Sequence, residues 1–226
     1  MKAEAEARRV LVLRPGPGDA ATVARAAAMG FAATAAPLFT IGPVAWTPSA
    51  ARHDALMLTS ANALRHAGDA LARYRPLPAY AVGAATAAAA RAAGFADIRI
   101  GTSDAPALLA QMAADGIARP LHLAGREHRD AGHPALTITR RIVYAADPVV
   151  ELPEAARAAL ADGAIALLHS PRAAALFAGL IANPSAIRIA AISHATAQAA
   201  GPGWAAVAIA ASPTDTALLQ AAAALA

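Results

Sequence analysis

Short apolar runs alternate with alanine-rich stretches along this chain of 226 residues. Most of the runs are apolar at every position, which is typical of strands that are buried on both faces of a sheet. Helices are predicted over Asp19–Met29 and Ala84–Ala93, because Gly30 and Gly94 follow them and Asp19 is suited to cap the first. Strand–helix alternation favours an α/β fold with parallel sheets covered by helices on both faces. The predicted strands are Val10–Leu13, Ala55–Leu58, Ala79–Val82, Ile98–Ile100, Leu121–Leu123, Ile142–Tyr144, Ile165–Leu168, Ile187–Ile192 and Val207–Ile209.

The second half of the chain repeats the first at an offset of 110 residues without a gap. Alanine matches count for little, because about a third of the residues are alanine. The matches between hydroxyl residues and between leucine pairs are the evidence for the 110-residue offset. We interpret them as a tandem duplication of a five-strand α/β unit. These matches are Ser60 with Ser170, Thr86 with Thr196, and Leu108-Leu109 with Leu218-Leu219.

Two proline-punctuated stretches, 37–48 and 147–153, also lie 110 residues apart. Proline disfavours helix and favours extended chain, so we expect the chain to cross between lobes there, inside each repeat. The predicted domains are residues 1–37 with 149–226, and residues 38–148. The two crossings would run side by side as a hinge between two similar lobes that face a cleft, a common place for ligand sites.

Composition narrows the function classes without choosing one. The chain has no cysteine, which excludes disulfides, thiolate metal sites and cysteine nucleophiles and fits a reducing cytoplasm. No stretch resembles a membrane span, and the first nine residues lack the apolar region of a signal peptide. The net charge is +4, but the arginines are scattered and form no basic patch for nucleic acid. A multiply anionic small substrate is the other natural partner of such a chain.

Four turns with a small hydroxyl side chain follow predicted strands and precede predicted helices. In parallel sheets, ligands bind outside the carboxyl ends of the strands, where helix N-termini suit carboxylates or phosphates. Plain helix capping explains any single one of these hydroxyls equally well. The candidate substrate-binding residues at these turns are Ser60, Thr86, Ser170 and Thr196, with their neighbours Thr59 and Ser193.

Two arginines, Arg14 and Arg126, closely follow the first strand of each repeat. Each could present a two-pronged guanidinium to a substrate carboxylate, or could instead pair with a nearby acid of the protein. The glycines and prolines after Arg14 lack the spacing of a phosphate loop, which argues against nucleotide binding.

The seven histidines form no HxxxH or HExxH pattern on a predicted helix. His128, His133 and Asp130 share a turn-rich stretch and could form a metal site only by chance, so no metal is expected. His169 and His194 stand at candidate turns, as ligand contacts or as local variation, of which variation is favoured.

Tyr144 is the candidate catalytic residue. It is predicted to end a strand just before the second crossing, and its counterpart in the repeat is Thr34. The repeated fold therefore does not require its bulk. A tyrosine hydroxyl there can donate a proton or a hydrogen bond to a leaving oxygen, or it can simply complete a core.

Taken in order, these segments resemble the uroporphyrinogen-III synthase family over nearly the whole chain. The motifs that carry the resemblance are Leu13-Arg14-Pro15, Leu58-Thr59-Ser60-Ala61-Asn62-Ala63, Ala81-Val82-Gly83-Ala84-Ala85-Thr86, His122-Leu123-Ala124-Gly125-Arg126, Val143-Tyr144, Ser170-Pro171-Arg172-Ala173 and Pro213-Thr214-Asp215.

The resemblance implies two α/β lobes joined by a two-stranded linker, the first lobe being discontinuous. It implies an enzyme that converts hydroxymethylbilane into uroporphyrinogen III, with loss of water, inversion of the last pyrrole ring through a spiro intermediate and closure of the macrocycle. It implies no cofactor, and a monomer in the cytoplasm. Tyr144 would assist loss of the hydroxyl, and the hydroxyl side chains at the turns would line the cleft.

The chain departs from the family at one segment. Family members usually have an amphipathic helix between the Gly-Arg turn and the strand with the tyrosine, whereas Glu127–Thr139 contains Gly132, Pro134 and β-branched residues and predicts no good helix. Two other functions stay open on the sequence alone. One is a two-lobed binding module without catalysis, and the other is arginine-mediated nucleic-acid binding.

Overall fold

The computed structural model describes residues 8–101, 104–128 and 130–225, so most of the nine-residue amino-terminal segment lies outside the described residues. The strands are β1 (Arg8–Val12), β2 (Phe31–Ala35), β3 (Phe39–Pro43), β4 (Ala55–Leu58), β5 (Ala79–Val82), β6 (Ile98–Gly101), β7 (Pro120–Gly125), β8 (Thr139–Pro148), β9 (Ile165–Leu168), β10 (Arg188–Ala191) and β11 (Ala206–Ile209). The α-helices are α1 (Gly18–Ala28), α2 (Ala61–His66), α3 (Gly83–Ala92), α4 (Ala105–Ala114), α5 (Glu154–Ala161), α6 (Pro171–Leu180), α7 (His194–Ala200) and α8 (Asp215–Ala223).

The chain folds into two compact units, the first comprising residues 1–40 with 147–226 and the second residues 41–146. The sequence places these divisions after residues 37 and 148. Strands β3 and β8 contain both boundaries and are neighbours in one sheet. They run antiparallel, because the amide of Val44 donates to Val143 and the amide of Val149 donates to Leu38. The two passages between the units therefore lie on one antiparallel strand pair.

The first unit is built on a five-stranded parallel sheet in the order β11-β10-β9-β1-β2. The four-residue strand β9 is fully buried, as its apolar sequence predicts. Val10, Val12 and Leu167 pack on one face with Leu218 of α8. Helices α5, α6 and α7 also pack against strands of this sheet.

The second unit has a six-stranded sheet in the order β3-β8-β7-β4-β5-β6. Strands β4 to β8 are parallel, and only β3 departs from the predicted parallel arrangement. Leu56 and Leu121 pack with Leu64 of α2 on one face, while Met57 packs with Leu109 of α4 on the other. The predicted α/β architecture, with helices on both faces of each sheet, is confirmed.

The two sheets have the same strand order when strands 110 residues apart are matched. Strands β11, β10, β9, β1 and β2 of the first sheet correspond to β6, β5, β4, β7 and β8 of the second. Each unit thus combines the first part of one repeat with the last part of the other. The carboxyl ends of equivalent strands consequently present equivalent turns in both units.

Among the described residues of the second unit, no helix corresponds to α1. Of the residues described between Glu127 and Ile138, none is helical, as the segment's proline and glycine predict. Leu136 and Ile138 instead pack onto the face of the sheet that carries α4. In the first unit, α1 packs against α8, which is the repeat counterpart of α4. Leu136 and Ile138 thus take the place beside α4 that α1 takes beside α8.

Three local predictions were wrong. The strand Phe31–Ala35 was missed because its sequence, FAATA, has little β-branched or bulky apolar character. Asp19 is not the N-cap of α1, since that position is Pro17 and Asp19 lies in the first turn. Strand β8 does not end at Tyr144 but continues to Pro148, because its pairing with β3 extends it. Across the described residues, every helix is too short or too polar to cross a bilayer.

Candidate functional site

A cavity of about 360 Å³ opens in the second unit at the carboxyl ends of its parallel strands. The predicted residues Thr59, Ser60 and Tyr144 all line it, so the fold brings together positions up to 85 residues apart in the sequence. Its other lining residues are Val82, Asp104, Ala105, His122, Gly125, Glu127 and His128.

Tyr144 lies across Gly125, its partner in the register of β7 and β8. A β-carbon on Gly125 would stand 2.5 Å from Cζ of Tyr144 and 2.8 Å from its hydroxyl oxygen. A side chain at position 125 would therefore push the phenol out of place. The half-buried ring of Tyr144 also faces His66, at 6.3 Å between ring centres. The phenol is thus held between a backbone surface and a ring at the wall of the cavity.

Thr59 and His122 form a polar contact inside the same cavity. The hydroxyl oxygen of Thr59 lies 3.1 Å from Nε2 of His122. His122 is 3% exposed, and Nε of Arg140 donates to its Nδ1 at 3.4 Å. Burial, together with the charge of Arg140 and the neighbouring His128, lowers the pKa of His122 to about 4. The imidazole of His122 is therefore neutral near pH 7.

His128 stands on the outer side of His122, edge to face at 6.3 Å between ring centres. Its Nδ1 lies 2.9 Å from the carbonyl oxygen of Gly125, so this nitrogen carries a proton and donates. Its Nε2 is 3.4 Å from Asp130, which also accepts from Arg140 at 2.9 Å. No group of three or more acidic or histidine residues within the described ranges is arranged to hold a metal.

Ser60 and Thr86 occupy the two predicted turns of this unit. Ser60 is the N-cap of α2, and its hydroxyl oxygen accepts from the amide of Asn62 at 3.2 Å. Thr86 lies in the first turn of α3 and is 5% exposed. Ser60 therefore has a structural role as well as a place in the cavity wall, whereas Thr86 does not line the cavity.

The first unit has the equivalent turns. Ser170 is the N-cap of α6 and accepts from the amide of Ala173 at 3.2 Å, while Ser193 is the N-cap of α7. The hydroxyl groups of Ser193 and Thr196 lie 3.0 Å apart, and Thr196 is fully buried. All three predicted residues of this unit thus take part in local helix capping or packing.

Arg14 is paired with an acid of the protein. Its guanidinium donates to Asp215 at 3.0 Å and stands over Gly18, where a β-carbon would be 2.5 Å from its Nε. Asp215 also accepts from Arg25 at 2.9 Å and from Thr22 at 2.7 Å. Asp215 therefore neutralises charge that Arg14 would otherwise offer to a substrate, although Arg14 is still about a third exposed.

His169, the repeat counterpart of Thr59, is buried beside the same carboxylate. Its side chain is 6% exposed and its Nε2 is 3.4 Å from Asp215, yet within the described part of the chain neither ring nitrogen has a hydrogen-bond partner of good geometry. Burial lowers its pKa to about 4, Arg14 adds to the shift and Asp215 opposes it. His169 is thus a neutral, buried imidazole.

Arg126 follows β7, and its amide donates to the carbonyl of Tyr144 at 2.9 Å. Its side chain is exposed, next to Glu127 of the cavity wall. The backbone link fixes the Arg126 turn to the strand that carries Tyr144. Arg126 itself does not line the cavity.

Sequence reasoning missed the part that His122 plays. The residue stands inside an apolar run and looks like a core position of β7, and its repeat counterpart is Val12. Asp104, which caps α4 by accepting from the amide of Ala107, was also missed. The one indication in the sequence was that a histidine replaces a core valine of the repeat, and this did not identify Thr59 as its contact.

The arrangement in the second unit places three hydroxyl groups, those of Thr59, Ser60 and Tyr144, and a neutral imidazole in the wall of one small cavity. Hydroxyl groups in such a site can donate to an oxygen of a bound molecule and assist its departure. The capped turns of both units add backbone amides of the kind that bind carboxylates.

Comparison with known proteins supplies the context. The family model HEM4, uroporphyrinogen-III synthase HemD, matches residues 20–220. Uroporphyrinogen-III synthetase from Helicobacter pylori 26695 is 17% identical and superimposes with a TM-score of 0.63 over 97% of this chain and 100% of that one. A mutant uroporphyrinogen III synthase from the extremely thermophilic bacterium Thermus thermophilus is 16% identical, with a TM-score of 0.49 over 97% of this chain and 99% of that one. No curated protein matches the chain. The first of these structures supports the fold.

Proposed function

We propose, from the premise that this chain belongs to the uroporphyrinogen-III synthase family of tetrapyrrole-biosynthesis enzymes, that its reaction takes place at the cavity of the second unit. The substrate would be hydroxymethylbilane and the product uroporphyrinogen III. The observation that supports this place is the convergence of Tyr144, Thr59 and Ser60 on one cavity. Family membership favours an enzyme over a binding module or a nucleic-acid-binding protein.

In this proposal the hydroxyl of Tyr144 donates to the oxygen of the terminal hydroxymethyl group, which leaves as water. The last pyrrole ring then inverts through a spiro intermediate, and the macrocycle closes. Holding the reactive chain in a closing geometry accounts for much of the rate, because orientation alone can lower a barrier by several kcal/mol. No metal or organic cofactor is invoked.

The substrate's carboxylates would be bound by the capped turns and by the arginines. Thr59 and Ser60 would contribute from the second unit and Ser170 and Ser193 from the first, whereas the buried Thr86 and Thr196 would act by holding their turns in place. Arg126 would act from the turn joined to Tyr144. Arg14 would act only through the part of its guanidinium that Asp215 leaves exposed.

The two compact units would be the functional lobes, with the division near residues 37–41 and 146–149. We further propose that the protein acts as a monomer in the cytoplasm, without nucleic-acid or membrane partners. Light scattering over a range of concentrations tests the oligomeric state, and a mass above that of one chain would contradict it.

The function is tested by incubating the protein with freshly generated hydroxymethylbilane and resolving the product isomers after oxidation. The type III isomer is expected in excess over a protein-free control. If only the type I isomer that forms spontaneously appears, the proposed reaction is wrong.

A further inference from the structure

His122 is the most deeply buried polar group in the wall of the cavity, and no step described above uses it. It stands on β7 between Leu121 and Leu123, which face the opposite side of the sheet. Its register partners are Met57 on β4 and Arg140 on β8. The sheet therefore places a single imidazole between the strand before Thr59 and the strand that carries Tyr144.

The hydrogen bonds of His122 determine which nitrogen carries its proton. Arg140 is always a donor, so Nδ1 of His122 must accept through a lone pair. The proton of the neutral ring is then on Nε2, which donates to the hydroxyl oxygen of Thr59 at 3.1 Å. The guanidinium of Arg140 also donates to Asp130 at 2.9 Å. This bond holds Arg140 in place beside His122.

This direction of donation has a consequence for Thr59. A hydroxyl group has one hydrogen to donate and two lone pairs to accept. With His122 donating to one lone pair, the hydrogen of Thr59 points away from the ring. Hydrogen bonds in a chain polarise one another, so the hydroxyl of Thr59 becomes a better donor than an isolated one.

We infer that His122 is a positioning residue for the reaction: the chain Arg140–His122–Thr59 directs the hydroxyl hydrogen of Thr59 toward a substrate oxygen in the cavity that Tyr144 also lines. This inference rests on the proposed function. The oxygen is either that of the departing hydroxymethyl group or that of a substrate carboxylate, and both require a donor. His122 does not touch the substrate in this account and acts only through Thr59.

The matched pair of variants His122→Gln and His122→Asn tests the inference with side chains of similar polarity. The glutamine amide reaches the position of Nε2 and can donate to Thr59, whereas the asparagine amide reaches only the position of Nδ1. We expect His122→Gln to keep most of the wild-type kcat/KM and His122→Asn to lose about five- to tenfold in kcat/KM, which is the contribution of one hydrogen bond. Thermal melts of both variants are compared to separate this loss from a change of stability.

A double-variant comparison tests whether the effect passes through Thr59. Thr59→Val removes the hydroxyl, and Thr59→Val combined with His122→Asn should be no slower than Thr59→Val alone. Thr59→Ser, which keeps the hydroxyl, should restore the sensitivity to His122→Asn. Losses that multiply in the double variant, or equal kcat/KM values for the glutamine and asparagine variants, would overturn the inference.

If the effect falls on KM, the directed oxygen is that of a bound carboxylate, and if it falls on kcat, it is that of the leaving group. Both results support a positioning role. A core residue that merely stabilises the fold would shift melting temperature and leave both constants of the folded enzyme unchanged, which contradicts the inference.

A measurement without substrate separates this inference from the proposed function. Nitrogen-15 NMR of the histidine-labelled protein at neutral pH should show His122 as the Nε2–H tautomer, and Arg140→Met should relax that preference. A proton on Nδ1 of His122 would overturn the inference even in an active enzyme. Absence of the type III isomer with the expected tautomer would instead contradict the proposed function alone.

Discussion

Acidification should destabilise both units through one buried histidine in each. His122 in the second unit and His169 in the first are 3% and 6% exposed, and the pKa of each is lowered to about 4, chiefly by burial. In the unfolded chain a histidine titrates near 6.5. Between these values the unfolded state binds more protons than the folded state, so stability falls as the pH falls through that window.

The size of the effect follows from the two pKa values. At pH 7 both forms of each histidine are largely neutral, and the histidines cost almost nothing. At pH 5 the unfolded histidine is almost fully protonated and the folded one is not, which costs about 2 kcal/mol at each residue. Each unit therefore loses about 2 kcal/mol, a substantial fraction of the stability of an ordinary domain.

The assay is urea unfolding at pH 7 and pH 5, followed by tryptophan fluorescence. The chain has two tryptophans, and each reports on one unit: Trp46 stacks on Tyr74 in the second, and Trp204 stacks on Phe177 in the first. Replacing either one by phenylalanine isolates the signal of the other unit.

The variants take their residues from the repeat itself. His122→Val places there the residue found at Val12, and His169→Thr the residue found at Thr59. Each should reduce the stability lost between pH 7 and pH 5 by about 2 kcal/mol, and only in the transition of its own unit. The exposed His194, replaced by glutamine, is the matched control and should leave the loss unchanged. An unchanged pH dependence in either variant would refute the assignment of that histidine as buried and neutral.

Four further outcomes are expected. Tyr144→Phe should lower kcat about a hundredfold while binding of the product changes little, and unchanged turnover would remove Tyr144 from the mechanism. Gly125→Ala should cost about 1–3 kcal/mol in thermal unfolding and lower kcat as well, because its β-carbon displaces the Tyr144 ring; a fully active, equally stable variant would contradict the close approach. Ser170→Ala should cost about 1 kcal/mol in urea unfolding through loss of the cap on α6, and no change would mean that the cap bond is unimportant. Asp215→Asn should destabilise the first unit by about 1–3 kcal/mol, measured by the fluorescence of Trp204, since one charge partner serves two arginines; a more stable variant would contradict this account.

The parts of the fold that sequence predicts are those where local pattern and burial agree. The runs Ala55–Leu58, Ala79–Val82 and Ile165–Leu168 are strands over those same residues, because short, wholly apolar runs between turns suit the centre of a parallel sheet. The 110-residue register predicted two similar α/β lobes, and the two sheets indeed share one strand order, which the register did not specify. Strand Phe31–Ala35 escaped because it is held by pairing with β1 and has little propensity of its own.

The same distinction applies to the site: residues at local sequence features were predicted, and contacts between distant residues were not. Thr59 and Ser60 were predicted from their places at a strand end and a helix start, whereas Tyr144 was predicted from a strand end that lies at Pro148 in the structure. The fold brings all three to one cavity. The partner of Thr59 was not predicted, because the contact with His122 spans 63 residues and depends on the register of β4 against β7. The partner of Arg14 was not predicted either, since Asp215 lies 201 residues away. Contacts between side chains that are far apart in the sequence leave no pattern in the sequence itself.

The repeat also explains why the chemistry is assigned to one unit only. Duplication would give both units the same strand ends, yet the residues that we propose for the reaction occur in the second unit alone. Where the second unit has Tyr144, Thr59 and His122, the first has Thr34, His169 and Val12. At the strand ends of the first unit, Asp215 forms ion pairs with both Arg14 and Arg25.

Transplanting the polar pair tests this division of labour. The double variant Thr59→His with His122→Val gives the second unit the residues that the first unit has at those positions, and it removes the hydroxyl group of Thr59. Turnover should then fall at least as far as in Thr59→Val. The reverse exchange in the first unit, His169→Thr with Val12→His, should add nothing to the residual turnover of a Tyr144→Phe background, because the first unit has no tyrosine at Thr34. Formation of the type III isomer faster than in Tyr144→Phe alone would show that both units can support the reaction, and the assignment to the second unit would be wrong.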